Sequence, residues 1–405
     1  MALFVREVRL PGVALFRLGG AFLSVLRLLA VFVFVSSLAA GFFGTQDPYR
    51  NLIPTMVWVL WWVGFAFVCA LVVDLWALAN PLRTLFPSSL SLKFPYPAWL
   101  GAWPAVALFL GFAWAELVWR DNDVPSYLAG AVAAYAVLTW SGMFLFGREA
   151  WLAHGEAFAI AFGILGRFAP LELAAGELRL RPPGAGLVTE RVPSVSMLVF
   201  VLLMLATVTF DGFLETPLYQ RLTANVQGAR VLFELSELGL AESEVAASLA
   251  LLAFPLAFLA AYCLTAWTMA RLTGALSVSR VACAFVLSLV PIAVAYHLAH
   301  YFSLLVTAGQ FIIPLASDPF GFGWDLFGTA GYKVDLGILS PTVFWYSAII
   351  LIVAGHAIAV FVAHLEALRL FGNRRDALAS QIPMVVLMIA YTTLSLWILA
   401  QPIVG

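Results

Sequence analysis

Nine long apolar runs determine what this chain can fold into. They cover residues 26–44, 53–77, 98–119, 125–146, 194–214, 246–269, 279–305, 343–370 and 382–401. A helix needs about 20 consecutive apolar residues to cross the hydrocarbon core of a bilayer, and each run approaches or exceeds that length. The sequence therefore predicts an all-α, polytopic integral membrane protein with nine transmembrane spans, embedded in a lipid bilayer.

The composition agrees with this class. Hydrophobic residues make up 63% of the chain and charged residues 11%, whereas a soluble domain has about 25% charged residues. The net charge of −1 gives no indication of a nucleic-acid partner. Cys69, Cys263 and Cys283 lie in apolar runs without a Cys-x-x-Cys motif, which is typical of small buried side chains rather than a disulfide framework or a thiolate metal site.

Lysine and arginine residues predict the orientation. If the N-terminus is cytoplasmic and nine spans alternate, sixteen of them lie inside and five outside, which fits the positive-inside rule. We therefore expect a multi-pass protein of the bacterial inner membrane with its C-terminus outside. The first run has an alternative interpretation as a signal peptide, but it is longer than a usual signal core. The five outside residues are Arg50, Arg120, Arg221, Arg230 and Lys333.

The polar stretch 172–192 divides the single membrane domain. Residues 1–171 hold four spans and residues 193–405 hold five, including the histidine-rich ones. We interpret 149–168 as an interfacial helix on the cytoplasmic surface with His154 and Glu156 in water, because a tenth span there would invert every later loop. Two further segments are expected outside: 215–245, as a loop with a short amphipathic helix, and the Gly- and aromatic-rich 317–341, as a lid or re-entrant loop.

Four of the five histidines fall in the seventh and eighth apolar runs. Polar side chains are costly inside a membrane and usually have a function there. His297 and His300 are three residues apart and so point to one face of a helix. His356 and His364 follow in the next run.

A helix rises about 1.5 Å per residue, so position converts to depth. Measured from the cytoplasmic ends of their runs, Glu116, Asp211 and His297 all lie at roughly 27–28 Å. Glu215 and His300 are one turn further out, and His356 lies at roughly 20 Å. These depths permit one polar layer in the outer third of the membrane. His364 is about 12 Å deeper than His356 and is expected to bond a cytoplasmic-side neighbour such as Asp74.

This layer suggests a divalent metal site. Imidazoles with carboxylates suit zinc, iron or manganese, and a bound metal lowers the pKa of a water for hydrolysis. We predict His297, His300 and His356 as ligands. We expect Asp211 to be the carboxylate nearest to these histidines. Its expected role is, in order of preference, metal ligand, hydrogen-bond partner of an imidazole, or general base. Glu116 is the second catalytic candidate.

Other interpretations of the layer remain open. The same residues suit ordinary interhelical hydrogen bonding or a transport pathway. A b-type haem would need two facing histidines at one depth, and His297 and His356 differ by about 7 Å. The chain has no P-loop, dinucleotide fingerprint or nucleophile elbow, which disfavours ATP-driven transport within the chain and a serine nucleophile.

Several local patterns occur together in this chain: residues 46–55, 74–83, 155–158 and 210–213, the Tyr-His-x-x-His run at 296–300, and Gly355-His356. Together they resemble a family of bacterial membrane proteins named fenitrothion hydrolases. The resemblance implies hydrolysis of an organophosphorus triester, with a partner membrane subunit, and it supplies no catalytic residues. We therefore expect a membrane-embedded hydrolase of organophosphate-like or other small apolar esters; the alternatives are a transporter or ion pathway, or a non-catalytic membrane subunit.

The topology can be tested with reporter fusions after residues 180 and 330. The charge bias predicts that the first fusion reports from the cytoplasm and the second from the exterior. The opposite pattern would reject the orientation. Two reports from one side would reject the number of spans between the fusion points.

Overall fold

The computed structural model describes residues 12–174, 176–188, 192–226, 235, 241–274 and 277–401. Over these residues the protein is all-α and polytopic, and nine helices are long and apolar enough to cross a membrane, as predicted. We number them spans 1 to 9 in chain order. They are Gly20–Phe43, Leu52–Leu71, Ala98–Leu117, Pro125–Phe146, Val195–Leu214, Glu242–Thr273, Val278–Ser317, Pro341–Phe371 and Arg374–Leu399.

A small sheet, which the sequence did not predict, joins the segment before span 1 to the polar stretch between the two halves of the chain. Strands β1 (Val13–Arg17), β2 (Leu171–Ala174) and β3 (Glu177–Leu180) pair antiparallel in the order β1-β3-β2. Part of the polar stretch expected as a loop is therefore paired. Shorter helices connect the spans: Leu75–Ala79, Pro81–Leu85, Ser88–Leu90, Arg148–His154, Ala157–Phe168, Ala185–Leu187 and Pro217–Val226.

The loop between spans 7 and 8 folds over one end of the bundle, as expected for a lid. Its backbone oxygens at Pro319 and Phe320 accept hydrogen bonds from the amides of Leu52 (3.1 Å) and Thr45 (2.8 Å). The loop therefore contacts both the end of span 1 and the start of span 2. The predicted external helix within 215–245 is Pro217–Val226, and most of the segment after it lies outside the described residues.

Asn51 holds the connection between spans 1 and 2. Its buried side chain accepts a hydrogen bond from the Ile53 amide (3.1 Å), which caps span 2. Its amide nitrogen donates to the carbonyl oxygens of Ala40 and Thr45, both at 2.7 Å. One side chain thus ends one span and begins the next.

Span 2 contains a π-helix over Thr55–Gly64. Such segments are rare and occur frequently at functional sites, because i→i+5 bonding changes which side chains and carbonyls face each neighbour. The span ends at Leu71, and two short helices follow. Asp74 and Asn80 cap them, so Asn80-Pro81 separates helices as its chemistry predicts.

Span 7 is the centre of the bundle. Its most apolar stretch is wholly buried, whereas span 1, which is equally apolar, has only three buried residues. Spans 2, 5 and 8 pack against span 7. Span 8 approaches through Gly355: a Cβ added there would lie 2.2 Å from the Ala295 Cβ and 2.7 Å from the Pro291 oxygen.

The segment 149–168 differs from the expected interfacial helix. It forms two short helices, and the second, Ala157–Phe168, buries most of its residues against spans 2, 3 and 7. Glu156 was expected in water but is 0% exposed, whereas His154 is exposed. The Glu156 carboxylate caps the buried helix through the amides of Phe158 (3.0 Å) and Ala159 (2.6 Å).

The contact between spans 7 and 8 predicts the effect of a single methyl group. Gly355→Ala should lower the free energy of unfolding by about 1–3 kcal/mol, because the new Cβ overlaps span 7. Gly130→Ala is the matched control, since a Cβ there meets nothing within 4 Å. Thermal unfolding in one detergent measures both. Equal unfolding temperatures for the two variants would contradict this packing.

Candidate functional site

The strongest candidate site is a hydrogen-bonded carboxylate–imidazole pair between spans 5 and 7. The Nε2 atom of His300 lies 3.0 Å from Oδ2 of Asp211. The same oxygen accepts a hydrogen bond from the Tyr301 hydroxyl at 2.6 Å. About a fifth of each partner's side chain is exposed, 18% for His300 and 22% for Asp211. We call Asp211 and His300 the dyad, and the dyad together with Tyr301 the dyad site.

Small and aromatic residues allow this close approach. Gly212 follows Asp211, and a Cβ added at Gly212 would lie 2.6 Å from the Tyr296 hydroxyl and 3.4 Å from Cε1 of His300. Gly212 therefore admits the neighbouring span 7, where a larger residue would collide. The rings of Tyr296 and His300 stack at 5.7 Å with an interplanar angle of 10°, which fixes the orientation of the imidazole.

His297 lies one turn deeper, among aromatic rings. Its imidazole is buried, with ring-centroid distances of 4.8 Å to Tyr301, 5.8 Å to Trp62 and 5.9 Å to Phe67. The carbonyl of Val63 in the π-helix lies beside the ring. Its Nε2 atom makes no hydrogen bond with any part of the chain that the structure describes.

Glu116 belongs to the same polar region. Its carboxyl group, on span 3, interacts electrostatically with Asp211 and Tyr301. It also lies beside the indole of Trp62. The buried Nε1 atom of that indole makes no hydrogen bond with the described residues. Asp211 is thus the direct partner of the His300 imidazole, and Glu116 is a second carboxyl group in the same region.

The structure does not join the remaining histidines to this pair. His356 has Nδ1 at 2.7 Å from its own helix's Ile352 oxygen, and its ring lies near the Met388 backbone of span 9. His364 bonds Gln381 at 3.0 Å. The expectation that Asp74 would be its partner is wrong, because Asp74 caps a short helix against Gly166 instead.

The predicted ligand set is tested by this geometry. Among the residues described, no three His, Cys, Asp or Glu side chains are grouped to hold a metal ion. His297 and His300 share one helix face, but no contact of His356 reaches them. The described residues therefore give no support to a three-histidine centre with zinc, iron or manganese, and a haem between His297 and His356 stays a prediction. A bound metal stays a prediction for elemental analysis.

Sequence reasoning missed Tyr301 and Trp62. Tyr301 directly follows His300, but its role depends on the rotation of span 7 about its axis, which depth does not give. Trp62 is one of fourteen tryptophans, and its position depends on the π-helix. A phenol next to the histidine pair, at the depth of an acidic residue, was the available signal for Tyr301.

No protein-family model, curated protein or solved structure matches the chain. The resemblance to fenitrothion hydrolases therefore stays a prediction, and any function must be argued from the site.

Two tyrosines of span 7 provide a test of the site's hydrogen bonding. Tyr301→Phe should lower the free energy of unfolding by about 1–2 kcal/mol, because Asp211 loses a buried interhelical hydrogen bond. Tyr296→Phe is the matched control, since its buried hydroxyl makes no hydrogen bond in the described structure. Thermal unfolding in detergent compares them. A larger loss for the Tyr296 variant would contradict the assignment.

Proposed function

We propose that this protein is a membrane-embedded hydrolase of neutral, apolar esters, with His300 as general base and Asp211 as the residue that orients it. The 3.0 Å contact between His300 Nε2 and Asp211 Oδ2 is the observation on which the proposal rests. A carboxylate at one ring nitrogen selects the tautomer and leaves the other nitrogen as acceptor. It also stabilises the imidazolium that forms when that nitrogen takes a proton.

The proposed reaction uses one water molecule. His300 accepts a proton at Nδ1 as the water oxygen bonds to the phosphorus or carbonyl carbon of the ester. The bond to the leaving oxygen breaks, its electron pair stays on that oxygen, and His300 returns the proton to it. Tyr301 holds the Asp211 carboxylate in place through its 2.6 Å hydrogen bond. Glu116, within electrostatic reach of Asp211, is the proposed second catalytic carboxylate.

A proton or ion pathway is the second candidate. His297 Nε2 and His356 Nε2 are buried without hydrogen bonds in the described structure. Intramembrane ionisable groups commonly mark such pathways. In this alternative the dyad site passes protons and hydrolyses nothing. A partner membrane subunit, the bacterial inner membrane as location, and a cytoplasmic N-terminus also belong to the proposal.

The hydrolase proposal predicts the kinetics of two conservative variants. His300→Gln and Asp211→Asn should each lower kcat for a neutral 4-nitrophenyl phosphotriester by about 10²–10⁴-fold, the usual contribution of general-base catalysis. His364→Gln is the matched control, because its partner Gln381 lies outside the site. Release of 4-nitrophenol by protein in nanodiscs measures turnover.

Elemental analysis of the same samples separates the mechanisms. Full turnover in both dyad variants would refute the general-base role. Turnover that depends on a stoichiometric metal would restore the metal mechanism in place of the dyad. No turnover of phosphotriesters or carboxylic esters by the parent protein would favour the pathway or a non-catalytic subunit.

A further inference from the structure

A large apolar cavity lies between spans 1 to 4 and the buried helix Ala157–Phe168. Its volume is about 660 Å³, within the range of about 300–1,000 Å³ typical of small-molecule sites. Aromatic side chains from span 2 and its neighbours form much of its wall, including Trp61, Phe112 and Phe158. The cavity is separate from the dyad site but close to it.

The wall is neutral, and four of its six polar side chains are already hydrogen-bonded to other parts of the protein. No charged side chain lines the cavity. Ser37 donates to the Val33 oxygen (2.8 Å) and Trp58 to the Asn122 oxygen (3.0 Å). Trp76 and Tyr135 both donate to the buried Glu156 carboxylate. Burying an unpaired charge is costly, so this wall favours an uncharged ligand with few hydrogen-bonding groups.

Span 1 leaves the cavity accessible from the side. Its buried residues, Ser37, Ala40 and Gly41, all lie in its C-terminal half, and a Cβ added at Gly41 would come 2.7 Å from the Ala129 Cβ of span 4. Its N-terminal half has no buried residue and lines one side of the cavity, with Leu26 and Leu29 in the wall. A molecule dissolved in the bilayer therefore meets this opening without crossing water.

The indole of Trp62 lies between the rings that line the cavity and His297, next to the candidate site. The ring of Trp62 lies 4.7 Å from Phe112 and 6.1 Å from Phe158, which both line the cavity. On its other side it lies 5.8 Å from the ring of His297, with Glu116 alongside. The adjacent Trp61 faces the cavity itself.

We infer that this cavity binds the neutral ester substrate as it enters from the bilayer, and that Trp62 is the positioning residue between it and the dyad site. The inference rests on the proposed hydrolase function. Its support is the short chain of ring contacts from the cavity-lining Phe112 through Trp62 to His297, together with the size and uncharged wall of the cavity. A single lipid acyl chain is the competing occupant.

Gly111 allows the cavity to be filled cleanly. It lines the cavity on span 3, and a Cβ added there meets nothing within 4 Å. Gly111→Leu should weaken binding of the neutral 4-nitrophenyl phosphotriester about tenfold or more, because ligand and side chain would overlap. Gly130→Leu on span 4 is the matched control, because its site is equally open but outside the cavity wall. Ala107→Leu, also in the wall, is the second variant if Gly111→Leu fails to fold.

Binding is read by quenching of the cavity tryptophans by the nitroaryl group, and turnover by release of 4-nitrophenol. The expected result is lost binding and raised KM in Gly111→Leu, no change in Gly130→Leu, and retained binding with lost kcat in Asp211→Asn. Unchanged binding and KM in Gly111→Leu would overturn the inference. Stoichiometric lipid that copurifies with the parent protein, is absent from Gly111→Leu and is not displaced by the triester would also overturn it.

Binding that is lost in Gly111→Leu, with no turnover by any variant, would support the cavity as a binding site and refute the hydrolase function. If the parent protein turns over the triester and Gly111→Leu leaves that turnover intact, the hydrolase function would be supported and the cavity would be refuted as the substrate-binding site.

Discussion

The enclosure of span 7 by other helices is the constraint on which the structure depends. Because this span is buried along its most apolar stretch, its polar side chains cannot turn to water or lipid headgroups and can form hydrogen bonds only within the bundle. His300 and Tyr301 form theirs with Asp211 of span 5. These hydrogen bonds fix the rotation of span 7 about its axis. The close approach of spans 5 and 7 depends on Gly212, because a side chain there would collide with Tyr296.

The buried and half-buried polar side chains of this bundle have different roles. Asn51 hydrogen-bonds the end of span 1 and the start of span 2. Glu156 caps the buried helix Ala157–Phe168. They therefore stabilise the fold and have little capacity left for a ligand. The dyad site differs, because Asp211 fixes one nitrogen of His300 while part of the imidazole remains exposed. A buried polar group with spare capacity is the better candidate for chemistry.

Length and hydropathy were sufficient to predict the nine spans, because each must cover the same apolar thickness. Depth brought Asp211 and the His297/His300 pair to one layer for the same reason. Depth gives no rotation, however, so it could not show that His356 faces Met388 or that His364 meets Gln381. Glu156 was placed in water because charge near an apolar helix usually indicates an interface, and its buried partners Tyr135 and Trp76 are distant in sequence.

The π-helix of span 2 adjoins both the apolar cavity, where we propose that substrate binds, and the region of the dyad site, where we propose that it reacts. Successive helical residues point in different directions, so Trp61 can line the apolar cavity while Trp62 faces His297. Trp62 and the cavity-lining rings of Phe112 and Phe158 then lie between the cavity and His297. The Val63 carbonyl beside His297 belongs to the same segment as Trp62. Charge would form only beside Asp211, where a low dielectric strengthens its interaction with an imidazolium at His300.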